Sequence, residues 1–185
     1  MNAASLRQPG GLDRPELAEL EEPRAPGRGE VTVRIRASST NYHDYLIVSG
    51  KAPIADKLIP LMDGAGDVIA VEAGVSGYRV GDRVISTFFP EWVDGEPPNL
   101  FGRQIFASVP GDGVDGYARQ YVTAQASAFA PAPKGFSYAE SASLVCARVT
   151  AWRALTIEAH VKAGDGDFTD LIWINTRSTE REYPF

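Results

Sequence analysis

Residues 111–116 carry the pattern G-x-G-x-x-G, the first segment of this sequence whose residue types and spacing could bind a ligand. Loops of this type hold the pyrophosphate of a dinucleotide, provided that they follow a strand and open a helix. Here a predicted strand follows the loop, and Asp112 and Asp115 would repel phosphate groups. We therefore interpret the segment as a flexible loop without a phosphate.

Residues able to bind a metal are few. Zinc sites need several His, Cys or carboxylate ligands, and this chain has only His43, His160 and Cys146 of the first two types. Cys146 lies in a predicted helix beside Val145, a setting typical of a small buried hydrophobic residue. The aspartates at 165, 167 and 170 lack the spacing and the terminal Glu of a calcium loop.

The elements that position these residues are mostly short strands. Alternating apolar residues and glycine turns predict strands at 30–37, 66–71, 77–85 and 117–122. Prolines predict an irregular or edge segment at 10–30, and residues 90–116 are predicted to form a long loop. Gly64 and Gly66 predict a tight turn where two backbones approach.

Two helices are predicted. A short one covers residues 44–49 and ends at Gly50. A long one begins at Ser137, which forms a capping box with Glu140, and continues to His160 with apolar residues along a broad stripe.

Composition limits the class of protein. The chain has 185 residues, is 44% hydrophobic and carries a net charge of −6 with scattered basic residues, which argues against binding to nucleic acid. No apolar run approaches the ~20 residues of a membrane span. The first residues lack the features of a signal peptide, and Cys146 is the one cysteine, so we expect a cytoplasmic protein.

Five short segments together resemble one known family. They are ASSTNYHDY at 37–45, IPLMDGAGDV at 59–68, VGDRV at 80–84, TFFPEW at 87–92 and LVCARVTAW at 144–152. In this order and spacing they resemble the catalytic domain of the medium-chain dehydrogenase/reductase superfamily. The most similar subgroup is the zinc-free, quinone-oxidoreductase-like NAD(P)-dependent alcohol dehydrogenases.

The resemblance implies a mainly β fold with some α: a GroES-like β-barrel plus a bridging C-terminal helix. It also implies hydride transfer between NAD(P)H and a small-molecule alcohol, carbonyl or quinone. In this family a separate Rossmann domain binds most of the dinucleotide. The fold implies no membrane partner.

Individual residues take their expected roles from the resemblance. Asn41, Tyr42 and Asp44 match the pocket-forming turn and are the expected catalytic residues. Thr150 and Asn41 are expected at the nicotinamide of the cofactor. His43 departs from the subgroup, which usually has Arg there, so the resemblance assigns it no role.

The resemblance also bears on zinc. Cys146 matches one ligand position of zinc-dependent relatives, but the other two positions hold Asn41 and Met62. Neither side chain suits catalytic zinc. We expect a protein without zinc, in which hydroxyls, amides or water polarise the carbonyl.

The end of the sequence departs from the family. Residues 1–165 are expected to form the GroES-like catalytic domain, and 166–185 a mobile tail unrelated to the family. A strand–helix–strand unit needs about 30 residues, so the Rossmann domain is expected to be missing. We thus expect a truncated oxidoreductase that binds NAD(P)H weakly and self-associates through uncovered apolar residues. The alternative is a non-enzymatic GroES-like interaction module or an inactive fragment.

Overall fold

A computed structural model describes residues 1–96 and 102–162 of the chain. The chain divides into two compact units, Met1–Cys146 and the residues from Ala147 onward. Each unit is described by itself. The expected tail at 166–185 lies outside the described residues.

Two antiparallel sheets build the first unit. Strands β1 (Asn2–Leu6) and β2 (Pro15–Glu19) form a two-stranded sheet. The second sheet contains β3 (Glu30–Ser39), β4 (Asp63–Val71), β5 (Arg83–Ser86), β6 (Tyr121–Gln125) and β7 (Phe129–Pro131). Its strand order is β6-β3-β4-β5-β7, so β4 lies at the centre between β3 and β5. The predicted mainly β fold with some α is confirmed, although the described strands do not close into the expected barrel.

Helices in the first unit are short. Helix α1 (Tyr42–Val48) follows β3 directly, and α2 (Tyr138–Ala142) follows β7. Two 3₁₀ turns cover Gly102–Phe106 and Ala126–Ala128. Because only two residues, Thr40 and Asn41, separate β3 from α1, the N-terminus of α1 lies at the end of β3.

The core of the first unit consists of two apolar clusters. One packs against the five-stranded sheet and includes Val31, Val33, Val68, Val84, Tyr117, Val122, Ala128 and Phe129. The other lies around α1 and includes Leu6, Ile47, Ile54, Leu58, Met62 and Val109. Helix α1 thus begins beside the sheet and buries its apolar side in the second cluster, which fixes its N-terminal turn.

Several predicted boundaries differ from the structure. Strand β2 lies in the segment predicted as irregular or edge, and among the described strands it pairs with β1 alone. Pro15 takes its first position, where the missing N–H does little harm. Strand β6 begins at Tyr121 rather than at 117, because the N–H groups of Tyr117 and Ala118 donate to the carbonyls of Leu61 and Pro60 (2.7 and 3.0 Å) instead of pairing with β3.

The predicted long helix begins where expected but is not regular. Ser137 caps α2, and its capping box with Glu140 is present. After α2 the chain forms a π-helical turn at Leu144–Arg148, then α3 (Val149–Arg153) and a second π-helical turn at Ala154–Glu158. Among the described residues, none of the helices combines the length and the apolar character that crossing a bilayer requires.

Candidate functional site

The N-terminus of α1 is the centre of the candidate site. Asn41 is the N-cap residue, in an extended conformation (φ −115°, ψ 170°) that turns the chain from β3 into the helix. Its side-chain amide Nδ2 donates to Oδ2 of Asp63 at the start of β4 (2.8 Å). The amide therefore joins the N-cap of α1 to the neighbouring strand, and its orientation is fixed by a carboxylate.

Asp44 closes the first turn of α1 from the inside. One carboxylate oxygen, Oδ2, accepts the backbone N–H of Asn41 (2.7 Å), and Oδ1 accepts the N–H of Met62 (3.1 Å). The side chain is almost fully buried. Burial raises the pKa of Asp44 because the charged form loses its water, although the two N–H donors oppose this change.

Asp63 is also fully buried, and its two oxygens have different environments. Oδ2 accepts from the hydroxyl of Ser39 (3.1 Å), the amide of Asn41 (2.8 Å) and the backbone N–H of Cys146 (3.3 Å). Oδ1 has no hydrogen-bond partner. Burial raises the pKa of Asp63, the hydrogen bonds to Oδ2 lower it, and the nearby carboxylate of Asp44 raises it further.

Of the predicted site residues, the structure brings Asn41 and Asp44 into this cluster. Tyr42 lies on the surface: the residue is 71% exposed, and its ring centroid lies 5.9 Å from that of Tyr45. Thr150 lies in α3, an exposed position in the second unit. The first unit thus presents a fixed amide at Asn41 and, on the next residue, an exposed aromatic ring.

The sequence predictions did not include Asp63 and Ser39 as site residues. Both lie just outside the predicted strands at 30–37 and 66–71, in segments that carry only the family resemblance. They meet because β3 and β4 pair with Ser39 opposite Asp63. A charged residue between Met62 and Gly64, within an otherwise apolar run, was the one sequence signal that could have indicated a buried functional carboxylate.

His43 makes a separate contact. Its Nε2 lies 2.9 Å from Oδ2 of Asp112, and its ring stacks on Phe106 with 4.8 Å between ring centroids. The Asp112 side chain is completely buried in this contact. His43 therefore ties α1 to the loop that carries the G-x-G-x-x-G pattern.

The glycines of that loop serve close backbone packing. A Cβ atom on Gly113 would lie 2.2 Å from the carbonyl oxygen of Ala107, and one on Gly116 would lie 2.2 Å from that of Leu61. No helix follows the loop: the chain continues toward β6. The loop is a packed connection rather than a flexible one, and each of these two glycines is needed where another backbone approaches.

Zinc does not fit the described residues. Met62 is fully buried in the apolar cluster around α1, the amide of Asn41 is held by Asp63, and Cys146 is half-buried. Within residues 1–96 and 102–162, no three His, Cys, Asp or Glu side chains lie close enough together to hold a metal ion. A thioether and an amide would be poor replacements for two imidazole or thiolate ligands.

Comparison with protein families gives one match. Residues 27–134 match the model of the alcohol dehydrogenase GroES-like domain. The chain belongs to this family. The matched range contains all five strands of the larger sheet, helix α1 and the Asn41–Asp63 hydrogen bond, so the candidate site lies within the family's domain.

Full-length relatives are alcohol dehydrogenase-like oxidoreductases. A zinc-type alcohol dehydrogenase-like protein of Schizosaccharomyces pombe is 37% identical over 159 residues, covering 84% of this chain and 45% of the relative. A Sinorhizobium meliloti structure described as an alcohol dehydrogenase superposes with a TM-score of 0.79 at 36% identity, covering 89% and 48% of the two chains.

A crystal structure of an NAD-dependent alcohol dehydrogenase superposes with a TM-score of 0.73 at 29% identity, covering 89% of this chain and 49% of the other. The chain therefore spans about half the length of these relatives.

Proposed function

We propose that this chain provides the substrate side of an oxidoreductase that transfers hydride between NAD(P)H and a small alcohol or carbonyl compound, with quinones as a related substrate class. The observation that carries the proposal is the amide of Asn41, held by a fully buried Asp63 at the N-terminus of α1 within the family's domain. NAD(P)H supplies the hydride when it is bound.

In this proposal Asn41 and Tyr42 contact the reactants. The Asn41 amide can hydrogen-bond to a carbonyl oxygen or to the carboxamide of the nicotinamide. The exposed ring of Tyr42 can pack against a nicotinamide or substrate ring. Asp44 holds the backbone of Asn41 in place, and Thr150 contributes to the nicotinamide side. The reaction proceeds without zinc, because the ligand positions hold Asn41 and Met62.

The proposal extends to domain organisation and compartment. Residues 1–165 constitute the GroES-like catalytic domain and 166–185 a separate tail. The proposed cofactor is NADH or NADPH. The proposed compartment is the cytoplasm, because a chain with one cysteine, Cys146, fits a reducing environment.

A nicotinamide fragment tests the proposal, because it probes this part of the site without requiring tight binding of a whole dinucleotide. Reduced nicotinamide mononucleotide is titrated to about 10 mM, a range that reports millimolar affinity, while amide resonances are followed by NMR. We expect saturable shifts at Asn41, including its side-chain amide, and at Tyr42. Asn41→Leu should abolish them, and Asn2→Leu, in β1, is the matched control.

The same titration separates an enzyme from an interaction module. Oxidised nicotinamide mononucleotide and benzyl alcohol, added together, should shift the Asn41 resonance more than either does alone. Absence of any shift at Asn41 and Tyr42, with the fold intact, would contradict the proposal. It would favour the alternative of a non-enzymatic GroES-like module.

A further inference from the structure

The first unit contains a cavity that is separate from the Asn41 cluster. Strand β6 lines one side of it, and the segments before and after the 3₁₀ turn at Gly102–Phe106 line the other. Its volume is about 720 Å³, within the ~300–1,000 Å³ typical of small-molecule sites. Most of the lining is apolar, with Pro90, Val93, Val114, Val122, Ala124 and Ala128 among the residues that face it. None of the residues proposed above for hydride transfer lines this cavity.

The cavity is also lined by an arginine whose guanidinium makes no ion pair with a described residue, although the charge of Asp115 acts on it. This residue is Arg119, and its NH2 group donates to the backbone carbonyl of Asp115 at 3.2 Å. Its Nε atom is buried and has no hydrogen-bond partner. Within the described part of the chain the guanidinium makes no ion pair with a carboxylate.

A buried guanidinium nitrogen without a hydrogen-bond acceptor lowers the stability of the fold unless a ligand supplies an acceptor for the group. Arg119 is half-buried, and an arginine that loses part of its water is normally paired with a carboxylate or phosphate. Partial burial lowers the pKa of Arg119 because the charged form is desolvated. A planar guanidinium has five N–H donors that match a carboxylate in a bidentate geometry. The guanidinium of Arg119 therefore indicates where an acidic ligand would bind in this cavity.

The charges around the cavity decide between anions. Glu91 and Asp115 also line it, and Oδ1 of Asp115 accepts the backbone N–H of Ile59 at 3.0 Å. Because the two carboxylates outnumber the one cation, the lining repels a doubly charged phosphate more strongly than a monoanion. The apolar walls in turn suit a ligand with a hydrocarbon chain.

We propose that this cavity, with Arg119 as its anchor, is a binding site for a carboxylate that carries a medium-length hydrocarbon chain. The carboxylate accepts hydrogen bonds from the guanidinium, and the chain lies along the apolar residues of β6 and the facing loop. The site is separate from the Asn41 cluster, so the proposal stands or falls independently of hydride transfer.

The test compares octanoate with octan-1-ol, which has the same chain length but no charge, by calorimetric titration of the full chain. We expect octanoate to bind at least about tenfold more tightly, because its carboxylate can accept charge-assisted hydrogen bonds from the guanidinium and the alcohol cannot. Inorganic phosphate alone should not bind. Equal affinity for octanoate and octan-1-ol, saturable binding of phosphate, or no octanoate binding up to about 10 mM would overturn the proposal.

Two variants localise the site. Arg119→Gln should remove the preference for octanoate over octan-1-ol. Ser127→Trp changes an exposed residue at the cavity wall and should block both ligands while Arg119 is retained. Arg79→Gln and Ser76→Trp, at exposed positions in a turn that does not line this cavity, are the matched controls. If Arg119→Gln fails to fold, the Ser127→Trp pair still decides the result: unchanged octanoate binding in Ser127→Trp would overturn the proposal.

Discussion

At the scale of single residues, Asp63 shows how a buried carboxylate can orient a neighbouring side chain. Three donors converge on Oδ2, while Oδ1 is buried without a partner. The three donors hold the side chain in one orientation, and this orientation fixes the amide of Asn41. Burial outweighs these donors in its effect on the pKa, which is raised. The carboxyl group of Asp63, which fixes the amide of Asn41, is therefore harder to ionise than that of an exposed aspartate.

The raised pKa of Asp63 leads to a prediction about stability and pH. Because the native state holds this proton more tightly than the unfolded chain does, its contribution to stability is fully present below the unfolded pKa. That contribution is lost as pH rises through the native pKa. The free energy of unfolding of the wild type minus that of Asp63→Asn should therefore decrease as pH rises above about 4, the ordinary pKa of aspartate. Urea denaturation measures both proteins.

Asp94→Asn, which removes a charge at an exposed position, is the control for that comparison. A wild-type advantage over Asp63→Asn that grows with pH would show that the hydrogen bonds to Oδ2 outweigh burial.

The zinc question also belongs to this scale. We expect purified protein to contain less than about 0.1 zinc per chain, because a buried thioether and an engaged amide stand at two ligand positions. Metal analysis by mass spectrometry, after exchange into metal-free buffer, measures this content. About one zinc per chain, lost on Cys146→Ser, would show that the chain binds zinc after all.

Residues of the site that lie close together in the sequence were predictable, and those that lie far apart were not. Asn41 and Asp44 lie within one turn of helix, so a local pattern could identify them. Asp63 reaches Ser39, Asn41 and Cys146 across 24, 22 and 83 residues of sequence. No local pattern contains such contacts. Strand pairing brings Ser39 opposite Asp63, and the turn into α1 and the π-helical turn at Leu144–Arg148 bring Asn41 and Cys146 to the same oxygen.

At the scale of elements, β4 depends on residues without side chains. A Cβ atom on Gly66 would lie 2.1 Å from the carbonyl oxygen of Arg34 in β3, and one on Gly64 would lie 2.7 Å from the ring of Tyr117. The close approach predicted from these glycines is confirmed. The predicted turn is wrong, because both residues lie inside the strand. Gly64 and Gly66 therefore let β4 pack closely against β3 and Tyr117 near the candidate site.

Gly66→Ala should therefore destabilise the domain by at least about 2 kcal/mol, because the neighbouring backbone cannot move without breaking the strand pairing. Gly74→Ala is the matched control: its Cβ would contact only the flexible end of Glu72. We expect the control to change stability by less than about 0.5 kcal/mol. Thermal and urea denaturation measure both variants, and equal stability of the two would contradict the steric explanation.

The elements themselves were largely predictable. Alternating residues located β3 to within two residues, and the capping box located the start of α2. The irregular course after Ser143 was not predictable, because its residues have the apolar spacing of an ordinary helix. The π-helical turns interrupt a pattern that the sequence carries without a break.

At the scale of the whole chain, the glycine loop bears on cofactor affinity. The glycines at 113 and 116 are occupied by backbone contacts, and among the described residues no glycine-rich loop opens a helix where a pyrophosphate could bind. We expect the 185-residue chain to bind NADPH with a Kd no better than about 1 mM. Titration calorimetry measures this affinity, and micromolar binding would contradict the prediction.

Exposed apolar residues in the second unit predict self-association. Val149, Trp152 and Ile157 are 56%, 57% and 48% exposed. Large apolar side chains in such a short segment are typical of a contact surface. We expect sedimentation velocity to show species heavier than the 19.9 kDa chain, and their fraction should rise with protein concentration.

Trp152→Glu should shift that distribution toward the monomer, because a charge would have to be buried at the contact. Val80→Glu is the matched control: it also replaces an exposed apolar residue by a charge, but in a turn of the first unit. If Val80→Glu reduces association as strongly as Trp152→Glu, added charge alone explains the effect. A single monomeric species over about a hundredfold concentration range would mean that these side chains do not form a contact surface between chains.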